Sequence, residues 1–369
     1  MVYLDHAAGS FVYESVKKEY IKCLDNNYAN PNSVHERGRQ NKEVIDTKTK
    51  DIADMLGVSR DSIIYTSGAT ESNNLAIFGV AYRYKNYGKH IIISSIEHTS
   101  ITAPVTKLQQ EGFLVSVLNV VNGHIDIKEL KSLIRDDTIL VSITALDSEV
   151  GCIINIDEVS ECLKGYEHIF MHVDASQKFG KLKMNVNNFD LVTINPHKLH
   201  GLLGIGLLIK SERVFLEPMI LGGKSVTVYR SGTPDVAMVS STCMAIKRAL
   251  TSMEENTRLV TSLKDRLFNY LKDNPKVIIN SPKDGSPYIL NFSVLSTNSE
   301  QLVKLLSDRE IYVSHKTSCC PVKTPSKIVY AITHNKALSL SSIRVSFSEV
   351  TTIEEIDLFY NTLKEIIND

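Results

Sequence analysis

A lone lysine between two histidines, in Asn195-Pro196-His197-Lys198-Leu199-His200, is the residue of this sequence best placed to act as an amine nucleophile. The β-prone run Asp190-Leu191-Val192-Thr193-Ile194 delivers it to a turn, and the glycine-punctuated run Gly204 to Ile209 leaves that turn as another strand. Desolvation among polar but uncharged neighbours lowers a lysine's pKa and frees its lone pair for imine chemistry. Three further groups stand at comparable places. Thr66-Ser67-Gly68-Ala69-Thr70-Glu71-Ser72-Asn73-Asn74 is a small-residue turn running into a helix, and the first N–H groups of a helix, helped by hydroxyls, cradle a phosphate. Glu97-His98 puts a histidine after a strand, and Asp174 puts a carboxylate at the end of the apolar run Ile169 to Val173. A buried Asp is costly unless it faces a positive group. Each feature alone has an ordinary structural use. A phosphate cradle, an Asp to keep a pyridinium nitrogen protonated, a His to lie over an aromatic ring and an imine-forming Lys are together what pyridoxal 5′-phosphate requires.

The elements that must carry these groups alternate between two hydrophobic periods. Short β-branched runs recur at Ile63 to Tyr65, His90 to Ser94, Leu114 to Val120, Thr138 to Thr144, Ile169 to Val173, Leu191 to Ile194 and Gly206 to Ile209. Between most of them lie helix-period segments: Asn41 to Leu56, Glu71 to Tyr84, Ile101 to Gln110, Ile127 to Leu133 and Ile156 to Leu163. Such alternation predicts a mostly parallel sheet covered on both faces, with ligands beyond the carboxyl ends of its strands. A long helical run, Val239 to Leu271, leads into Pro287 to Val294 and Ser342 to Phe347, read as half-buried strands, with helices at Ser299 to Asp308 and from Thr351. The last helix opens on a capping box, Thr352 to Glu355 or Thr351 to Glu354. The expected division is a large domain over 16–255 and a smaller α+β domain made of 1–15 and 256–369.

Composition narrows the classes of function. The chain has 369 residues and a net charge of −1, with its basic residues scattered, so neither nucleic acid nor an anionic membrane is an expected partner. Its longest apolar stretches fall far short of the roughly 20 residues a membrane span needs. Met1 to His6 lacks a basic run and an apolar run, so no secretion signal is expected. Six cysteines at irregular spacing suggest neither a disulfide framework nor a metal site, and a reducing cytoplasm is the expected setting.

Over nearly its whole length the chain resembles the NifS/IscS-type cysteine desulfurases, which are class V, fold-type I pyridoxal-phosphate enzymes. The stretches that carry the likeness are Tyr3-Leu4-Asp5-His6-Ala7-Ala8, Asn30-Pro31-Asn32-Ser33-Val34-His35, Thr66 to Asn74, Glu97-His98, His172-Val173-Asp174-Ala175-Ser176-Gln177, His197-Lys198, Gly222-Gly223, Arg230-Ser231-Gly232-Thr233 and Ser342-Ile343-Arg344-Val345-Ser346-Phe347. The resemblance implies a mostly parallel seven-stranded sheet in an α/β large domain, with a smaller C-terminal α+β domain. It implies that Lys198 holds the cofactor as an imine and then moves protons, that Asp174 pairs with the pyridine nitrogen, that Gln177 bonds the phenolic oxygen and that His98 stacks on the ring. Ala69, Thr70, Asn195 and His197 would meet the phosphate, Asn195 standing where the family usually has Ser. Thr233 would reach the phosphate of a neighbouring subunit, which implies a homodimer with shared sites. Arg344, with Asn32, would hold the carboxylate of the substrate, L-cysteine; a bidentate grip suits Arg and not Lys.

One further stretch, Val313 to Pro321, resembles the family loop whose cysteine accepts sulfur, with Cys319 in that place. Two adjacent cysteines, Cys319 and Cys320, beside His315, Lys316 and Lys323 have a positive setting that favours the thiolate. The implied reaction turns L-cysteine into L-alanine, leaves a persulfide on Cys319 and passes the sulfur to an acceptor protein, for iron–sulfur cluster assembly or tRNA thiolation. Selenocysteine lysis, cysteine β-elimination and a weakly active sulfur-transfer scaffold are the alternatives on the same chain. Departures from the family pattern bear on that choice. The usual Asn-Asn-Glu run is Asp147-Ser148-Glu149, and an ionised Asp147 is expected to repel the anionic oxygens of cofactor and substrate. After Lys198 the usual Pro-Lys-Gly is Leu202-Leu203-Gly204, and the loop from Cys319 to Pro325-Ser326 is about one residue short.

Overall fold

The β-branched runs pair side by side because each is apolar along its whole length, as strands covered on both faces must be. The computed structural model describes residues 1–121, 123–223, 226–295, 297–316 and 324–368. In chain order the elements are β1 (Val2–Tyr3), α1 (Glu14–Asn26), α2 (Glu36–Leu56), β2 (Ile63–Thr66), α3 (Ala69–Tyr84), β3 (His90–Ser94), α4 (Thr99–Gln110), β4 (Leu114–Leu118), β5 (Val120–Val121), β6 (His124–Ile125), α5 (Ile127–Leu133), β7 (Thr138–Thr144), α6 (Ile156–Leu163), β8 (Phe170–Asp174), β9 (Leu191–Ile194), β10 (Gly206–Lys210), α7 (Val236–Leu271), β11 (Val277–Ile279), β12 (Ile289–Val294), α8 (Ser299–Ser307), β13 (Ile311–Tyr312), α9 (Lys327–Thr333), α10 (Lys336–Ser341), β14 (Ser342–Ser346) and α11 (Ile353–Asn368).

Seven strands form one sheet in the order β2-β10-β9-β8-β7-β3-β4. Only β10 runs against its neighbours; the other pairs are parallel. Strands β3, β7, β8, β9 and β10 are buried throughout, whereas the edge strand β4 leaves Leu114 and Val117 exposed. Helix α2 begins five residues before its apolar period does. His35 sets that start by accepting a hydrogen bond from the Gly38 amide at its side chain, and Gly57 closes the helix at φ +67°.

A second core gathers Val2, Leu4, Leu263, Leu267, Phe292, Ile343, Phe359 and Leu363 around the antiparallel sheet β11-β12-β14. The chain's first strand joins this side, since β1 pairs in parallel with β13. Full burial of a side chain such as Phe292 or Phe359 stabilises by roughly 1.5–3 kcal/mol. Strands β12 and β14 are buried along their whole length rather than on one face as the alternation suggested. Their polar residues face other chain segments, not water: Asn291 donates to the Glu149 carbonyl at 3.0 Å and the Ser293 hydroxyl to the Leu338 carbonyl at 2.8 Å. The single helix α7 passes from one core to the other, capped at its start by Asp235. Of the two possible capping boxes at α11, Thr352 and Glu355 form the reciprocal pair. Among the described residues no helix is long and apolar enough to cross a membrane, and no cluster of His, Cys, Asp and Glu could hold a metal ion.

Candidate active site

The carboxyl ends of β2, β3, β7, β8 and β9 open on one cavity of about 640 Å³, within the usual size of a small-molecule site. Ala69, Thr70, His98, Asp174, Gln177, Asn195, His197, Lys198 and Arg344 all line it. A larger open groove of about 1310 Å³ lies at the opposite end of the sheet, but it gathers partners already matched, such as Arg213 with Asp190. Thr233 and Asn32 are exposed and do not line the cavity of their own chain. Cys319 and Cys320 lie outside the described residues.

The loop carrying Lys198 is fixed by close packing. Asn195 leads from β9 into a single turn of 3-10 helix, Pro196–Lys198. A Cβ at Gly201 would stand 2.8 Å from the Pro196 carbonyl oxygen, so the chain returns at a glycine. Lys198 Nζ donates to the carbonyls of Ala7 at 2.7 Å and Ala8 at 2.6 Å. Burial first, then the nearby Lys198 and Lys181, hold His197 down to about 4, which makes it the uncharged neighbour that the chemistry of Lys198 asks for.

The turn before α3 is set by a similar contact. Gly206 opens β10 directly against Gly68, where any Cβ would lie 2.5 Å from the Gly68 carbonyl carbon. The start of α3 has no side-chain cap, and Ala69 and Thr70 present it to the cavity. Asp174 accepts from Asn73 Nδ2 at 2.8 Å and from the Ser176 amide at 2.9 Å, and no cation among the described residues pairs with it. Asn73 also donates to the Ser100 hydroxyl at 2.8 Å, which stands 2.8 Å from His98 Nδ1. Because His98 Nδ1 also accepts from the Ser100 amide, its proton sits on Nε2. Buried Ser176 Oγ and Asn195 Oδ1 have no partner. An uncapped helix start, an anion without a cation and unsatisfied polar atoms around one cavity fit pyridoxal phosphate: the phosphate at Ala69 and Thr70, the ring nitrogen at Asp174.

Glu97 is the second carboxyl here. Burial is the main cause that pushes it up to about 8, so it is protonated near neutrality. Its Oε1 accepts from the Thr144 amide at 2.8 Å and Oε2 has no partner. A carboxyl raised on folding contributes stability that is full below its unfolded pKa and lost as pH rises through its folded value. Glu97→Gln, which keeps the accepting oxygen, is therefore expected to gain stability relative to wild type as pH rises from about 4.5 to about 8, read by paired thermal melts.

Arg344 is 2% exposed. Its Nη2 donates to Asp5 Oδ1 at 2.6 Å and its Nη1 to the Ser148 carbonyl at 2.9 Å, leaving Nε without a partner. The expectation that Asp147 repels anions in the site is corrected. Its carboxylate turns into its own loop and accepts from the amides of Glu149 at 2.7 Å, Val150 at 3.1 Å and Cys152 at 2.8 Å, so its charge is spent on the backbone. Burial still pushes Asp147 up to about 6. Asp147→Asn would set an amide NH2 against one of those N–H donors and is expected to cost about 1–3 kcal/mol, measured as a lower urea midpoint.

Arg344 also anchors the segment before the cysteine pair, exchanging backbone hydrogen bonds with Ser314. Lys316 Nζ donates to the Thr324 carbonyl at 2.9 Å, joining the two described ends of that segment. His315 supplies no positive charge near neutrality, because burial and Lys316 lower its pKa. Four residues that position the site had no role assigned from the sequence: Asp5, Asn73, Ser100 and Lys181. Asn73 could have been found, since it lies on the α3 face four residues after Ala69; Asp5 meets Arg344 only through the fold, 339 positions away.

The class-V aminotransferase family model matches residues 2–359. A "NifS/IcsS protein homolog" of Lactobacillus delbrueckii subsp. bulgaricus is 35% identical over 99% of this chain and 97% of its own length. "Cysteine desulfurase IscS" of Pasteurella multocida is 38% identical over 99% of this chain and 92% of its own. Among solved structures, a "NIFS-LIKE PROTEIN" superposes with a TM-score of 0.93 at 30% identity, covering 100% of this chain and 99% of that one.

Proposed function

The chain belongs to the class-V aminotransferase family and is a pyridoxal-phosphate-dependent cysteine desulfurase of the NifS/IscS type, and on that premise we propose how its own residues divide the work. The observation that carries the reading is the convergence of Lys198, Asp174, His98, Gln177 and Arg344 on one cavity. When bound, pyridoxal phosphate supplies an electron sink for the pair left at the substrate α-carbon. Lys198 holds the cofactor and takes the α-proton at Nζ, which the Ala7 and Ala8 carbonyls keep in place. Asp174 would pair with the ring nitrogen, and Asn73 orients its carboxyl group. His98, its proton fixed on Nε2 by Ser100, would hold the face of the cofactor ring. Arg344 grips the carboxylate of L-cysteine, while Cys319 takes the sulfur as a persulfide and delivers it to an acceptor protein.

The chain divides into 16–255 and 1–15 with 256–369, a division supported by the core that draws Val2 and Leu4 together with residues from Val260 onward, although Leu146 joins that core and Val329 and Leu338 pack with the large sheet. It works as a homodimer in which Thr233, outside its own cavity, reaches the phosphate of the neighbouring subunit. The Arg230 to Glu71 ion pair, 2.9 Å, supports this by tying the Thr233 loop to α3, and exposed Leu221 and Val228 offer apolar surface beside it. Asn32 would act from the same shared edge. A cytoplasmic setting agrees with the free cysteines Cys23, Cys152, Cys162 and Cys243.

The test is alanine and sulfide release from L-cysteine with a thiol reductant, comparing wild type with Cys319→Ala and Cys320→Ala. Loss of sulfide and alanine in Cys319→Ala alone, by roughly 10²-fold or more, establishes Cys319 as the acceptor. Full activity in Cys319→Ala would instead support selenocysteine lysis or β-elimination, and pyruvate in place of alanine would single out the latter.

A further inference from the structure

A second lysine stands behind Lys198 with no part in the reaction described above. Lys181 lies one turn after Gln177 in Asp174-Ala175-Ser176-Gln177-Lys178-Phe179-Gly180-Lys181, the segment that leaves β8. Its Nζ donates to Gln177 Oε1 at 3.3 Å. The other end of that amide, Nε2, donates to the Ala7 carbonyl at 2.9 Å, and Lys198 Nζ donates to the same carbonyl at 2.7 Å. An amide can rotate by half a turn and exchange its donor for its acceptor, unless one end is held. With Oε1 held by an amine, only Nε2 is free for the cavity.

We infer that Lys181 is a positioning residue that locks the Gln177 amide with its oxygen turned away, so that the cavity always meets a hydrogen-bond donor. The inference rests on the reading of Gln177 as the partner of the cofactor's phenolic oxygen, which needs a donor. Cost argues for a specific role. No carboxylate among the described residues lies within ion-pair distance of Lys181, and an aliphatic side chain would avoid the desolvation of an amine there. Around it, Lys198 and Arg344 act as like charges, the rings of His6 and His200 and the Glu349 carboxyl share with it a cavity of about 20 Å³, and the Tyr288 ring lies 5.5 Å from its Nζ. Burial and those two cations bring its pKa down to about 7. Both protonation states carry N–H groups, so the lock holds on either side of that value.

The test uses the holoenzyme and three variants, Lys181→Met, Gln177→Leu and the double variant. The readouts are the pH midpoint of the bound cofactor's absorbance change and the dissociation constant for pyridoxal phosphate. Loss of a donor to the phenolic oxygen leaves more negative charge there to hold the nearby proton. Lys181→Met is expected to raise the midpoint by roughly one pH unit and to weaken cofactor binding roughly fivefold to tenfold. Gln177→Leu should do the same, and the double variant should shift no further than either single one. A midpoint that Gln177→Leu moves but Lys181→Met does not, or shifts that add in the double variant, would overturn the inference. A midpoint indifferent to Gln177→Leu would remove the reading of Gln177 itself. Should Lys181→Met fail to accumulate as folded holoenzyme, Lys181→Ala takes its place with the same expected shift.

Discussion

Lys198→Ala is expected to lower alanine formation from L-cysteine by at least roughly four orders of magnitude, because in the proposed mechanism one side chain serves both as the amine that holds the cofactor and as the base. Those two roles compound. Of the other amines, Lys181 is engaged by Gln177 on the far side of the Ala7 carbonyl, and Lys327 reaches the cavity only from the start of α9. The phosphate contacts proposed at Ala69 and Thr70 and the carboxylate of Asp174 are untouched by the substitution, so the variant should still take up pyridoxal phosphate, now released by gentle dialysis. Absorbance of the purified variant before and after dialysis, with alanine measured by amino-acid analysis, checks both halves. Alanine formation within tenfold of wild type would remove Lys198 from the reaction.

Arg344→Lys is expected to lower kcat/KM for L-cysteine by about 10²- to 10³-fold, roughly 3–4 kcal/mol, with most of the loss in KM. The guanidinium already satisfies two neighbours, Asp5 through Nη2 and the Ser148 carbonyl through Nη1, and still has Nε open. A lysine ammonium at 2% exposure can pair with Asp5 but cannot also offer the planar pair of donors a carboxylate fits. Arg344→Ala goes further and leaves the Asp5 carboxylate without its partner, which should cost about 3–5 kcal/mol of folding stability as well. Steady-state kinetics beside thermal melts separates the two effects. A changed kcat with an unchanged KM in Arg344→Lys would take the substrate carboxylate away from Arg344.

Much of the site was legible because its chemical residues fall where a change of period marks the end of a strand. Asp174 closes the apolar run of β8, His98 follows β3, and Lys198 follows β9 after the proline that breaks the strand. A local pattern ends there, and the residue just past it must sit at the carboxyl end of the sheet. The mostly parallel sheet followed from the same alternation, and its seven strands are the number the family resemblance implied. Strands β12 and β14 misled in one respect, since their alternating polar residues suggested a wet face that the Glu149 loop and α10 in fact cover.

The sequence by itself determined which residues stand at the strand ends, because period and strand length are local properties of the chain. Only the tertiary structure decided what those residues touch. Asp147 has the right charge and the wrong direction: three amides within five residues of it capture the carboxylate, a turn geometry that residue type alone does not specify. Asp5 and Arg344 meet across 339 positions, and Lys181, Gln177, Ala7 and Lys198 become one hydrogen-bonded chain only when the first residues of the protein fold back over the sheet. Contacts of that kind depend on closing long loops around a finished core, and no pattern within a few residues records them.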